Sequence, residues 1–265
     1  ILNLRAALPN HSYIQYTATP QGPLLINIMD LLSPKFHKVL TPGKSYTGGK
    51  TFFEDNTDLI ISIPDKEVYH HKNNQLSECP QSLINALQIF ICGVAITVNI
   101  QEKENFLSML IHADSLKDVS RQFYDWVKML KDSWEDRLQL PDGDPSKSEL
   151  IEQFKENYIE AVRRIQNPPE FNEVIIEVLQ VILDTNIELV IAGSKEIDWS
   201  NATAHILVGA DMLNRGYTVE GLMVSYMPRY SIGKSNADTI QQRCRFFGYK
   251  RNFLDSCRVF LPNES

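Results

Sequence analysis

The sequence predicts an α/β protein: a parallel sheet flanked by helices, with a helical hairpin inserted into it. Three observations carry this. Apolar runs of four to six residues recur and end at Gly, Pro or small polar residues, as in Phe106–Ile111, Ile187–Ile191 and Leu222–Tyr226. They are continuous rather than alternating, as expected for strands buried on both faces. Amphipathic helical patterns lie between them, so strands and helices follow one another along the chain from Phe106 on. Finally, two helical patterns, from Ser148 to about Gln166 and from Phe171 to about Leu183, are separated only by Pro168-Pro169, which reads as a helical hairpin.

The elements in order are these. Ser12–Thr17 is a β-branched and aromatic run that stops at Ala18-Thr19-Pro20 and reads as a strand. Residues 21–80 are turn-rich, with a short strand at Asp58–Ile63. Gln81 to about Thr97 is apolar nearly all round and predicts a buried helix. Phe106–Ile111 is a buried strand, and Asp114-Ser115 can cap the helix that runs on to about Trp134. The apolar stripes of the following hairpin fit a core, or a partner-docking face. Ile187–Ile191, His205–Val208, Leu222–Tyr226 and Ser256–Leu261 are further strands. Ser235–Asp238 can cap a helix that carries Gln242, Arg243 and Arg245 and stops near Gly248. Residues 1–80 thus read as a preceding segment, and 81–265 as the main sheet domain with its insertion at about 138–185.

The net charge of −7 over 265 residues argues against indiscriminate nucleic-acid binding. From Gly221 onward, seven Lys/Arg face three Asp/Glu, a balance of +4, so residues 1–220 carry −11. The segment from Gly221 onward is therefore the part suited to an anion. Four cysteines without CxxC spacing read as reduced thiols of a cytoplasmic protein. The apolar runs read as shorter than the roughly 18 residues of a membrane span, so no membrane partner is expected. Ile1–Leu8 have no signal-peptide pattern, and the chain reads as a piece of something longer.

Two tempting motifs fail on spacing. Gly43-Lys44-Ser45 and Gly48-Gly49-Lys50-Thr51 suggest a phosphate loop, but the Gly required further upstream is Lys38 or Lys44. Tyr69-His70-His71 lacks spaced partners for a metal. No metal site is expected, and a Glu-x-Lys nuclease strand is also missing: Gln101-Glu102-Lys103 lacks the intervening residue.

Three segments resemble motifs of superfamily-two helicases. Thr17-Ala-Thr19-Pro20 is similar to the Ser/Thr-Ala-Thr motif that ends a strand of the first RecA-like lobe, which makes residues 1–80 the end of that lobe and a turn-rich connecting segment; Gly209–Gly216 is similar to the fifth motif, and Gln242-Arg-Cys-Arg245 to the sixth. Arg215–Leu222 together with Asp238–Lys250 resembles the Z1 domain, a family that carries an endonuclease label and is found joined to superfamily-two helicase modules in bacterial defence and restriction-like loci. The resemblance implies a RecA-like second lobe of a DNA-dependent ATPase or translocase. Its nucleotide is ATP with Mg2+, held by a first RecA-like lobe of the same polypeptide; its other partners are DNA and proteins of the defence system. Arg245 then supplies the arginine finger, with Lys250 or Arg251 as second cation. Gly209, Asp211, Arg215 and Gln242 face the nucleotide, and Thr17 and Thr19 couple the lobes. The family pattern is broken at Ala210, Cys244 and Gly248, where Thr, Gly and Arg are usual. A metal-dependent endonuclease and a non-catalytic docking module are the alternatives.

Overall fold

The computed structural model describes residues 2–8, 10–17, 33–70, 72–114, 116–191, 194, 196–209, 219–229, 245 and 247–263. The chain divides into two units, Ile1–Lys44 and Ser45–Ser265. The first holds helix α1 (Leu2–Ala7). There Arg5 donates to the His11 ring at 3.2 Å and its guanidinium lies 5.2 Å from the centre of the Tyr13 ring. The strand expected at Ser12–Thr17 is not formed: Ile14 and Tyr16 are 68% and 85% exposed. A β-branched run becomes a strand only when a neighbour pairs with its N–H and C=O groups.

The second unit is built on six parallel strands: β1 (Ile60–Ile63), β2 (Leu107–His112), β3 (Thr185–Val190), β4 (Ala204–Gly209), β5 (Leu222–Tyr226) and β6 (Arg258–Pro262). Their order is β1-β6-β5-β2-β4-β3. Every residue of β2, β4, β5 and β6 is buried, whereas the two edge strands are partly exposed. Burial on both faces is why the central strands read as unbroken apolar runs. The sheet draws in β1 as the neighbour of β6, so this compact unit begins at Ser45 rather than at residue 81.

Four longer helices accompany the sheet among the described residues: α2 (Gln81–Val94), α3 (Lys117–Leu138), α4 (Pro145–Val162) and α5 (Phe171–Leu183). α2 continues into a π-helical turn at Ala95–Ile100. Residues Gln81–Ile100 are long and apolar enough to cross a membrane, with a mean hydropathy of 2.0, a length the sequence reading missed. Yet 78% of that window is buried inside the domain, against β5, α4 and α5. Both sides of α2 are covered by protein, which explains a helix apolar all round. The α4–α5 pair turns Leu150, Phe154, Val174, Val178 and Ile182 into the same core. Asp144 starts α4 by accepting from the amides of Ser146 and Lys147, with Pro145 in the first turn. Cys79, Cys92 and Cys257 are free thiols, and burial pushes them up to about 12, 12 and 11.

One buried charge ties the insertion to the sheet. Arg258, fully buried at the start of β6, donates to the Glu160 carboxylate on α4 at 2.7 Å and to the Glu160 carbonyl. It also donates to the carbonyls of Asp255 and Cys257 at 2.8 and 2.7 Å. Beside it, Arg164 grips both carboxylate oxygens of Asp58 at 2.7 and 2.8 Å and reaches Asp255 at 3.2 Å. The end of α4 is thereby fastened to the segments that lead into β1 and β6.

Two expectations follow from local geometry. Gly221 has φ +58°, and an added Cβ would lie 3.0 Å from the Phe106 carbonyl oxygen. Gly221→Ala is therefore expected to cost about 1–2 kcal/mol, read as a fall in thermal midpoint of roughly 2–8 °C. An unchanged midpoint would show that the turn relaxes freely.

His205 is fully buried at the start of β4, with its ring edge-on to Phe106 and Trp199. Its Nε2 bonds the carbonyls of Ala202 and Trp199 at 3.0 and 3.2 Å, which requires the proton on Nε2. Burial lowers its pKa. The unfolded chain takes up this proton near pH 6.5, the folded chain only at lower pH, so the unfolded state binds more protons in that window. Stability is then full above about pH 6.5 and falls as the pH drops below it. The urea midpoint should decrease between about pH 7.5 and 5.5, and His205→Asn should flatten that decrease. Equal pH dependence in both proteins would contradict the assignment.

Candidate functional site

The sheet reverses its winding at β2. From β2 the chain runs out to β3 and returns through β4 on one side, then crosses to β5 and β6 on the other. The carboxyl ends of the three central strands are level: His112 pairs with Gly209, and Ile111 with Tyr226. Adjacent parallel strands whose connections leave in opposite directions open a crevice at their carboxyl ends.

The described rim of that crevice is charged and aromatic. Beyond β2 lies Asp114, and beyond β5 lies Arg229. Their side chains, 16% and 9% exposed, form an ion pair at 3.7 Å. Asp114 Oδ1 also accepts the Leu116 amide at 3.0 Å, just ahead of α3. Tyr69 pairs with Arg229 as an isolated bridge, its amide donating to the Pro228 carbonyl at 2.6 Å. Burial, and then the Asp114 charge, push the Tyr69 phenol above its usual range. Deeper, the Tyr226 and Ser82 hydroxyls are 2.8 Å apart, and Glu67 accepts the Ser82 amide at 2.7 Å on the first turn of α2. Burial also raises the Tyr226 phenol. These groups are largely committed to one another, so they shape and charge the rim rather than offering a reactive atom.

The residues expected at a site fall as follows. Gly209 is buried as the last residue of β4, beside His112 and Val190. Thr17 is exposed and belongs to the unit Ile1–Lys44. Thr19, Asp211, Arg215 and Gln242 lie outside the described residues. Arg245 is half-buried on a backbone with φ +50°, and burial lowers its pKa; a guanidinium remains charged even so.

Lys250, one of the two residues expected as second cation, turns inward. It is only 7% exposed, and its Nζ donates to the carbonyl of Leu222 at 2.8 Å. Leu222 opens β5, so this ammonium lies at the amino end of the strand. The reason is topological: strand β6 is parallel to β5, so the chain must be back at the amino edge before Arg258. Arg251, next along, is exposed.

The Gly-rich stretch at 43–51 proves to be a structural tie. Thr47 and Gly248 exchange backbone hydrogen bonds at 2.8 and 3.1 Å, and Thr47 Oγ1 adds a third at 3.0 Å. It thus anchors the segment that carries Arg245 and Arg251. The Asp114–Arg229 pair escaped the sequence reading; the signal was a charged residue just past each of two buried strands. Among the described residues, no group of three or more His, Cys, Asp or Glu is gathered to hold a metal.

In comparisons with known proteins, the family model described as Z1 domain matches residues 82–265. No curated protein and no solved structure matches the chain.

Proposed function

Since this chain belongs to the Z1 domain family, we propose that it acts as the second RecA-like lobe of a superfamily-two, DNA-dependent ATPase in a bacterial defence or restriction-like system. The reading rests on one observation. The two strands that lead into the helicase-like segments, β4 and β5, flank β2 with level carboxyl ends, Gly209 beside His112 and Tyr226 beside Ile111. Asp211 and Arg215 follow Gly209 within six residues, and the segment from Arg229 to Arg245 follows Tyr226. Both segments therefore depart from one crevice.

ATP with Mg2+ would be held by a first RecA-like lobe of the same polypeptide and supply the γ-phosphoryl group. Arg245 would neutralise charge that builds on the transferred group. A half-buried guanidinium fits this task, because a partly desolvated cation interacts more strongly with an anion than a solvated one. Lys250 fastens the segment through Leu222 at the amino end of β5, so neither it nor its neighbour Arg251 is assigned to this crevice. Gly209, Asp211, Arg215 and Gln242 would wall the nucleotide, and Thr17 and Thr19 would couple closure of the lobes to movement on DNA.

The test is phosphate release by the intact polypeptide, with and without DNA. Turnover is expected to rise with DNA, and this chain alone should turn over none above background. Hydrolysis by this chain alone, or none by the intact protein, would overturn the reading.

A further inference from the structure

The tie between Thr47 and Gly248 builds a second surface. In an antiparallel bridge the opposed residues share one face, and their chain neighbours turn to the other. Thr47 faces inward with no exposure. Its neighbours and those of Gly248 are Tyr46, Gly48, Phe247 and Tyr249. The three rings are 36%, 39% and 71% exposed. Tyr46 and Tyr249 meet edge to face at 5.7 Å. Gly48 lies between Tyr46 and Phe247: a Cβ there would come within 3.7 and 3.9 Å of the two rings. A bare glycine thus keeps a gap open between two aromatic groups, on backbone held by three hydrogen bonds.

Charge points the same way. The stretches Ser45–Phe53 and Arg245–Asn252 contain Lys50, Arg245, Lys250 and Arg251 and no acidic residue, in a chain of net charge −7. Lys50 and Arg251 are exposed. Nearby carboxylates exist: Glu54 follows Lys50 by four residues, and Glu104 accepts from Asn252 at 3.3 Å.

We infer that Tyr46, Phe247 and Tyr249, with Lys50 and Arg251 beside them, form a stacking platform for single-stranded nucleic acid. Exposed rings on a fixed backbone take unpaired bases on their faces, while the cations follow the phosphates. A duplex, with its bases already stacked, offers the rings nothing. The platform requires no nucleotide turnover, so it can be tested on this chain without ATP and stands or falls apart from the function proposed above.

The experiment is fluorescence anisotropy with a labelled deoxythymidine oligomer, its matching duplex, an abasic oligomer of equal length and a uridine oligomer. The expected order is thymidine and uridine oligomers alike, with the abasic strand and the duplex weaker. Tyr249→Ala should raise Kd roughly five- to a hundredfold without changing its salt dependence. Lys50→Ala should reduce the slope of log K against log salt by about 0.7. The thermal midpoint of each variant checks the fold, and the exposure of Tyr249 makes it a mild substitution. Equal binding of the abasic strand, an unchanged Kd in a well-folded Tyr249→Ala, or displacement by polyglutamate at equal charge would overturn the platform.

Discussion

Arg245→Ala in the intact polypeptide is expected to lower ATP turnover by a factor on the order of 10³, equivalent to about 4 kcal/mol of transition-state stabilisation. The loss should fall on kcat, with KM nearly unchanged, because an arginine finger meets its charge only as the phosphoryl group leaves. Arg245→Lys keeps the positive charge but not the planar fork, so it should restore only part of the rate. The fold should survive: the residue is half-buried and stands in a turn rather than within a strand, so the thermal midpoint should move by no more than a few degrees. A rate loss that tracks a loss of folded protein would assign Arg245 a structural role instead. An unchanged rate would remove it from the site.

The second large effect is on stability. Arg258→Ala removes a fully buried guanidinium, leaves a cavity, takes a donor from the Asp255, Cys257 and Glu160 carbonyls, and leaves the Glu160 carboxylate to the exposed Arg163 at 3.3 Å. Breaking a buried pair from one side costs about 3–5 kcal/mol. The Glu160 side chain is 27% exposed and can regain some water, so the lower end, about 3 kcal/mol, is expected. For a chain of this size that is a fall in thermal midpoint of roughly 6–12 °C. Arg258→Met fills the space without the charge and should cost less if Glu160 is changed to Gln with it. If Arg258→Ala melts like the parent, the link between α4 and β6 contributes nothing to the fold.

The central strands were readable because burial on both faces writes itself as an unbroken apolar run. Phe106–Ile111 and Leu222–Tyr226 were placed within one residue of β2 and β5. α4 starts at Pro145, ahead of the expected Ser148, and Asp144-Pro145 carries the capping signal. Ser12–Thr17 has the composition of a strand but forms none, and composition alone cannot make one. What could not be read locally was pairing across long separations. β1 joins β6 some two hundred residues later, and Thr47 meets Gly248. Neither partner announces the other. For the same reason Lys250 looked like a free cation beside Arg251, although only its contact with Leu222 shows that it turns inward. The Asp114–Arg229 pair at the rim depends on β2 and β5 being neighbours, a fact of strand order rather than of sequence.

The account rests on Arg245 reaching a phosphoryl group held by another lobe. The direct measurement is a structure of the intact polypeptide with a transition-state mimic of the γ-phosphoryl group and Mg2+. The expected result is the Arg245 guanidinium at about 2.7–3.0 Å from an equatorial atom of the mimic, the distance of a charge-assisted hydrogen bond. Arg245 held in an ion pair within its own domain, facing away from the mimic, would contradict it.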